Sequence, residues 1–279
     1  MDLKSKIILI YGPTASGKSD FATKLAKKIK GEIINADSMQ VYKDLKILTA
    51  RPLKKDYQKI KHHLYGFQNG RISFSTGDWL KLAIKKVNEI KNRKKIPILV
   101  GGTGLYFKAL VEGLVEIPNI PLKFRNKVRK LQKKLGQIKF YKKLLKLDPK
   151  IIDQIKSTDA QRSIRAYEIK KFTNKSILEW YGNTRPYFKK KDFLRIIIDF
   201  PRIELIKKIH TRTVQMLERG AIREVEKFLM LKIPKDKSIS KAIGVLEIDQ
   251  YLKKKIDKKN VVEKISIKTR QYAKRQMTW

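Results

Sequence analysis

Gly12-Pro13-Thr14-Ala15-Ser16-Gly17-Lys18-Ser19 fits the pattern G-x-x-x-x-G-K-[ST]. A loop of this kind turns its backbone N–H groups, and the start of the helix that follows, toward phosphate oxygens. Lys18 adds a point charge, and the Ser19 hydroxyl suits Mg²⁺. The chemistry is therefore that of a bound di- or triphosphate, and the loop does not say what the phosphates carry. Most such loops bind nucleotides, so on the loop alone an ATP-using kinase of a small molecule or nucleoside is the first reading. Two features oppose it. A P-loop NTPase holds its metal partly with an Asp at the end of a later apolar strand, whereas here "IPILV" (96–100) runs into Gly101-Gly102-Thr103. The acidic residue is instead Asp37 in "ADSMQVY" (36–42), which faces the loop without belonging to it. That placement suits a base, with a turn former or helix cap as the lesser alternative.

These residues need elements to position them. Lys6 to Tyr11 is a short apolar run ending at Gly12, as expected of a buried parallel strand. Ala22, Leu25, Ala26 and Ile29 recur at helical spacing after the loop, and Gly31 is the expected stop. "EIINAD" (32–37) reads as a second strand ending on Asp37, residues 78–92 as a helix, and "KIPILVGG" (95–102) as a third strand. Strand–helix alternation predicts a parallel α/β sheet with its ligands at the carboxyl ends of the strands. Gly12, Asp37 and Gly101-Gly102-Thr103 all lie at such ends, so they should converge. From Pro121 to Lys191 the pattern is helical and lysine-rich, and a strand returns at "FLRIIIDF" (193–200). The expected architecture is an α/β P-loop core, residues 1–120 and 192–279, interrupted by a helical insertion at 121–191.

Composition bounds the function. Lys and Arg number 67 against 26 Asp and Glu, a formal net charge of +41. A polyanionic partner explains that excess, and so does the codon bias of an A+T-rich genome; only locally placed arginines separate the two. Cysteine is absent, which excludes disulfides and thiolate chemistry, and histidine is limited to His62, His63 and His210, which argues against a multi-histidine metal site. No run of about eighteen apolar residues occurs, and "MDLKSKIILI" has the form of neither a signal nor a transit segment. A cytoplasmic, monomeric protein without a membrane partner is expected.

Six strings occur in order: "GPTASGKS" (12–19), "ADSMQVYKDLKILTARP" (36–52), "HHL" (62–64), "PILVGGTGLYFKALVEGL" (97–114), "DAQRSIRAYEI" (159–169) and "TRQYAKRQMTW" (269–279). Together they resemble the tRNA dimethylallyltransferases, the tRNA isopentenyltransferase family, over nearly the whole chain. The resemblance implies transfer of a dimethylallyl group from dimethylallyl diphosphate to N6 of the adenosine directly 3′ of the anticodon. The loop Gly12–Ser19 would then hold the donor's diphosphate with Mg²⁺ near Ser19, and Arg212 matches a family arginine that reaches it. The same resemblance makes Asp37 the general base and gives Ser38, Met39 and Gln40 to the target nucleotide. Thr103 would stand where the two substrates meet, unless it only caps the helix that follows. Arg125, the segment Gln161-Arg162-Ser163-Ile164-Arg165 and Lys274-Arg275-Gln276 match positions that contact the tRNA anticodon stem-loop. Tyr106 and Phe107 have two readings, lining of a prenyl channel or core packing.

Leu48 departs from the family by standing where glycine is usual, which bears on the turn there. Val245 and Leu246 replace an aromatic and a basic residue, which puts the RNA contact of residues 241–247 in question. Two rivals from other classes share the charge and the loop, a small-molecule kinase and a basic RNA-binding protein without activity. A cytokinin-type adenylate isopentenyltransferase shares the chemistry but has no need of a helical clamp.

Overall fold

Strand β1 (Ile7–Tyr11) sits between β4 (Ile96–Gly101) and β5 (Phe193–Ile197) in an all-parallel sheet, completed by β2 (Gly31–Asn35) and β3 (His62–His63). The order is β3-β2-β4-β1-β5. This is a computed structural model, and it describes residues 3, 5–182 and 184–278. Strands β1 and β4 read as unbroken apolar runs because both sheet faces are covered there. Side chains alternate: Ile7, Leu9, Ile34 and Leu99 enter one core, while Ile8, Ile10, Ile33 and Ile98 enter the other. Helix α1 (Lys18–Ile29) buries Ala22 and Ala26 on the second face. Helix α2 (Thr76–Asn92) buries Trp79, Ala83, Val87 and Ile90 on the first. Its N-terminus lies two residues earlier than the apolar pattern implies, because Ser75 and Asp78 form a reciprocal capping box.

Helix α1 ends on Lys30, which takes the left-handed conformation (φ 54°), and Gly31 opens β2 instead of stopping the helix. Glycine is needed there for space, since a Cβ would lie 2.7 Å from the Ile98 side chain. The second strand ends at Asn35 and the fifth at Ile197, both short of the sequence expectation. Tyr106 and Phe107, on α3 (Gly104–Glu112), are core residues, with Tyr106 stacked on Trp79 at a centroid distance of 4.2 Å. The "HH" pair forms the edge strand β3. His63 bonds the buried Glu32 carboxylate at 2.8 Å, and Arg93 and Lys95 reach the same carboxylate. Those cations hold Glu32 down at about 2 against the opposing effect of burial.

The chain divides into two units, Met1–Val111 with Tyr187–Trp279, and Glu112–Pro186. The sequence pattern places the insertion at 121–191. The second unit is helical: α4 (Leu122–Leu135), α5 (Gln137–Leu147), α6 (Ala160–Thr173) and α7 (Ile177–Tyr181) surround Phe140, Leu144, Ala166 and Ile169. The first unit is completed by α8 (Arg202–Glu218), α9 (Ala221–Met230), α10 (Val245–Leu252) and α11 (Lys258–Gln276). No helix among the described residues is long and apolar enough to cross a membrane.

Candidate functional site

The loop after β1 has the backbone its glycines foretell. Gly12 (φ 152°) passes so close to the end of β5 that a Cβ would lie 2.4 Å from the Ile198 carbonyl oxygen. Gly17 (φ 86°) turns the chain into α1. Between them Ala15, without glycine's freedom, is left-handed at φ 67°, a conformation costing a residue with a Cβ about 1 kcal/mol. Lys18 Nζ donates to the Pro13 carbonyl. Burial brings the Lys18 ammonium down to about 8, with the Asp37 charge opposing and Arg212 reinforcing that shift. Ser16 is buried, and its hydroxyl has no hydrogen-bond partner among the described residues.

Asp37 stands beyond the end of β2, where the buried Asn35 fastens it: Asn35 Oδ1 accepts from the Asp37 N–H, and Nδ2 donates to the Asp37 and Leu64 carbonyls. Asp37 Oδ1 in turn accepts from the N–H groups of Met39 (2.8 Å) and Gln40 (3.3 Å). The carboxylate therefore forms the turn and also presents charge to the site, and the two roles coexist. Its charge acts on Lys18 and Arg212 and on the Tyr65, Tyr106 and Tyr272 phenols. Thr103 accepts from the Ser38 N–H at 3.0 Å and donates to the Ser38 hydroxyl at 3.3 Å, joining the ends of β2 and β4. Met39 packs against the core. Gln40 gives its amide to the carbonyls of Thr49 and Ala50, so it shapes the wall of the site.

A cavity of about 280 Å³ opens among these groups. Thr14, Lys18 and Ser19 line one side, Asp37 and Gln40 another, and Gly101 and Gly102 the floor. Two residues from far along the chain complete it. Arg212, on α8, donates to the Thr14 hydroxyl at 3.2 Å, and Gln276, the last residue of α11, bridges Thr14 and Gly102. The arrangement offers cations and N–H donors to an anion at one end and a carboxylate at the other.

Residues 40–279 match the family described as IPP transferase. The chain belongs to that family. It is 64% identical over 279 residues to a tRNA dimethylallyltransferase of Pelagibacter ubique, covering 100% of this chain and 89% of that protein. A tRNA dimethylallyltransferase of Rhizobium etli is 42% identical over 273 residues, covering 98% and 92% respectively. Among solved structures, a eukaryotic dimethylallyltransferase acting on tRNA superposes with a TM-score of 0.86 at 30% identity, over 98% of this chain and 69% of that one. The full-length tRNA isopentenylpyrophosphate transferase of Bacillus halodurans gives 0.69 at 32% identity, over 99% and 86%. Like those relatives, this IPP transferase family member is an enzyme of the transferase class.

In the helical unit of this transferase, the arginines carried over from the resemblance have unequal surroundings. Arg165 and Arg125 each approach Oε2 of Glu168 at 3.4 Å, and that carboxylate is almost wholly buried. The Arg162 side chain is 73% exposed and reaches Asp159, at 3.6 Å. Gln161 is exposed beside it, whereas Ser163 is buried with its hydroxyl on the Asp159 carbonyl and Ile164 packs on the unit's core. Arg162→Ala is accordingly expected to weaken binding of an anticodon stem-loop without changing the melting temperature. Its salt dependence should flatten by about 0.7–0.9 slope units if it meets a phosphate. Arg165→Ala should in addition cost about 1–2 kcal/mol of stability, because a buried carboxylate loses one of two partners. Salt titrations beside thermal melts check this, with exposed Lys235→Ala as the charge control. Equal losses for Arg162→Ala and Lys235→Ala would leave only nonspecific attraction.

The departures find local explanations. Leu48 is buried beside Gly244, where a Cβ would come within 2.5 Å of Leu48 Cδ1. The positive φ of that turn falls on Ala50 (48°), so Leu48 needs no glycine-like freedom. Glu224, on α9, caps the N–H groups of Lys46, Ile47 and Leu48 and steadies the turn. Val245 is buried at the start of α10 and Leu246 is exposed. Sequence reasoning missed Asn35, Thr49, Tyr65 and Tyr272 as parts of the site. Tyr272 alone carried a signal, one helical turn before Gln276 on the same face of α11.

Proposed function

We propose that this protein transfers a dimethylallyl group from dimethylallyl diphosphate to N6 of the adenosine directly 3′ of the anticodon of tRNA, releasing diphosphate. The observation that carries this reading is the pairing of a phosphate loop and a carboxylate across one small cavity, on a chain of this family. The apolar strand that ends in Gly101-Gly102-Thr103, without the metal-binding Asp of an NTPase, supports it against phosphoryl transfer. The allylic C–O bond breaks and a C–N bond forms. The bonding pair leaves on the diphosphate oxygen, and the amine's proton goes to Asp37. Because the amine lone pair is delocalised into the adenine ring, a positioned carboxylate assists as the bond forms. Loop N–H groups, Lys18 and Arg212 face the charge that develops on the leaving diphosphate, where one such donor is typically worth about 10²–10³ in rate.

The residues present fit Mg²⁺. Ser19, Asp20 and Asp37 bring oxygen donors to the cavity, and no group of three or more His, Cys, Asp or Glu gathers among the described residues as a protein-only cage. Mg²⁺ is commonly held in just this way, by one or two side chains together with substrate phosphates; bound there it would neutralise the diphosphate. Adenosine leaves its stack to enter the cavity, at a cost of a few kcal/mol that contacts to the anticodon stem-loop offset. Arg125, Arg162, Arg165, Lys274 and Arg275 are the proposed source of those contacts. All the groups invoked lie in one chain, so the proposed reaction calls on no second subunit.

Mass spectrometry of tRNA incubated with the protein, dimethylallyl diphosphate and Mg²⁺ tests the proposal. A five-carbon gain on the anticodon-loop fragment is expected; no gain, or a phosphorylated product with ATP instead, overturns it.

A further inference from the structure

Gln276 matches a stretch expected to touch RNA, yet it is only 8% exposed, while its neighbours Lys274, Arg275 and Met277 face outward. Its amide is spent inside the protein. Oε1 accepts the Thr14 N–H at 2.7 Å, and Nε2 donates to the Gly102 carbonyl at 3.0 Å. A backbone N–H can only donate and a carbonyl can only accept, so the two partners dictate which way the amide points. No charged side chain of similar size satisfies both: a carboxylate has no proton for Gly102, and an ammonium has no acceptor for Thr14. Gly102 is shaped to receive it. The three atoms nearest to a Cβ there would all belong to Gln276, with Nε2 at 1.8 Å. Thr14 is thus held twice, by Gln276 at its N–H and by Arg212 at its hydroxyl. Ala273, one turn earlier, packs with Leu205 and Ile209 of α8, and Ala15 of the loop packs on the same cluster. Tyr272 lies against the Thr103 and Gln276 side chains.

We propose that Gln276 is a positioning residue that fastens the phosphate loop to the Gly101-Gly102-Thr103 turn and so sets the geometry of the diphosphate subsite, instead of reading RNA. Through it the last turn of α11, whose outer face carries Lys274 and Arg275, is joined directly to the donor loop. This rests on the donor reading above, and the tests separate the two.

Gln276→Ala should weaken binding of dimethylallyl diphosphate, measured by calorimetry with Mg²⁺ and no RNA, by about tenfold. Affinity for an anticodon stem-loop should change by less than a factor of about two. Gly102→Ala should impair donor binding to a similar degree, because the new methyl group displaces the Gln276 amide. The double variant should then be no worse than Gln276→Ala alone, a non-additivity that general destabilisation does not produce. Independently of any ligand, loss of the acceptor should speed hydrogen exchange at the Thr14 amide in Gln276→Ala. Unchanged Thr14 exchange, additive losses in the double variant, or lost stem-loop affinity with intact donor affinity would each overturn the proposal. Wild-type protein that fails to bind the diphosphate while Thr14 is still protected by Gln276 would instead remove the donor reading and leave the latch standing.

Discussion

Lys18→Ala abolishes prenyl transfer and leaves stem-loop binding within a factor of a few. The side chain lines the cavity: Nζ reaches the Pro13 carbonyl, and the charges it feels are those of Asp37 and Arg212. Removing it takes one cation from the leaving diphosphate, in a setting where a single preorganised donor is worth about 10²–10³ in rate, and weakens donor capture as well. The same burial sets a pH dependence. Lys18 lies at about 8 in the free protein, and a diphosphate beside it favours the ammonium and raises that value. Binding therefore takes up a proton above pH 8, so donor affinity falls as pH rises through about 8, by up to tenfold per unit. Below that range Lys18 is charged in both states and contributes no slope. Calorimetric donor titrations from pH 7 to pH 9.5 should show the decline in wild type and its loss in Lys18→Ala. The enzyme should also show no appreciable ATP hydrolysis. Robust RNA-independent ATPase activity that disappears with Lys18 would replace the prenyl donor with a nucleotide.

Asp37→Asn should slow the chemical step by about 10²–10⁴, the usual range for loss of a general base. The structure makes asparagine the clean substitution. Oδ1 accepts from the Met39 and Gln40 N–H groups, and an asparagine Oδ1 keeps both bonds, so the turn survives while the proton acceptor is lost. Alanine would break the turn and confuse the two roles. Because Asp37 also helps keep Lys18 charged, rates are to be compared at saturating donor and saturating tRNA in a single turnover. A rate within a factor of a few of wild type would reduce Asp37 to a turn former and move the base elsewhere.

How much of this was legible in the sequence follows from how local each feature is. A phosphate loop is a run of backbone conformations, and Gly12, Gly17 and Lys18 declare it wherever the chain goes. Strands buried on both faces declare themselves as apolar runs, and parallel pairing then brings their carboxyl ends to one side, which is why Gly12, Asp37 and Gly101-Gly102-Thr103 could be expected to meet. Element ends were less legible. Ser75 and Asp78 start α2 through hydrogen bonds that apolar periodicity does not register, and Lys30 ends α1 by adopting the left-handed turn that Gly31 was expected to supply.

Other features depended on the tertiary structure alone. Gln276 is bonded to a residue 262 positions away and Arg212 to one 198 positions away, and a polar side chain on a basic helix looks the same in sequence whether it meets solvent, RNA or a buried amide. Arg162 and Arg165 are likewise equivalent by spacing, and only the packing of α6 puts a buried carboxylate beside one and solvent around the other. The motif by itself declared a loop of the kind that binds phosphate. Which distant side chains hold the loop that binds it was decided by how α8 and α11 pack against each other and the loop, because hydrogen bonds of a few ångströms register the final distance between groups and nothing of their separation along the chain.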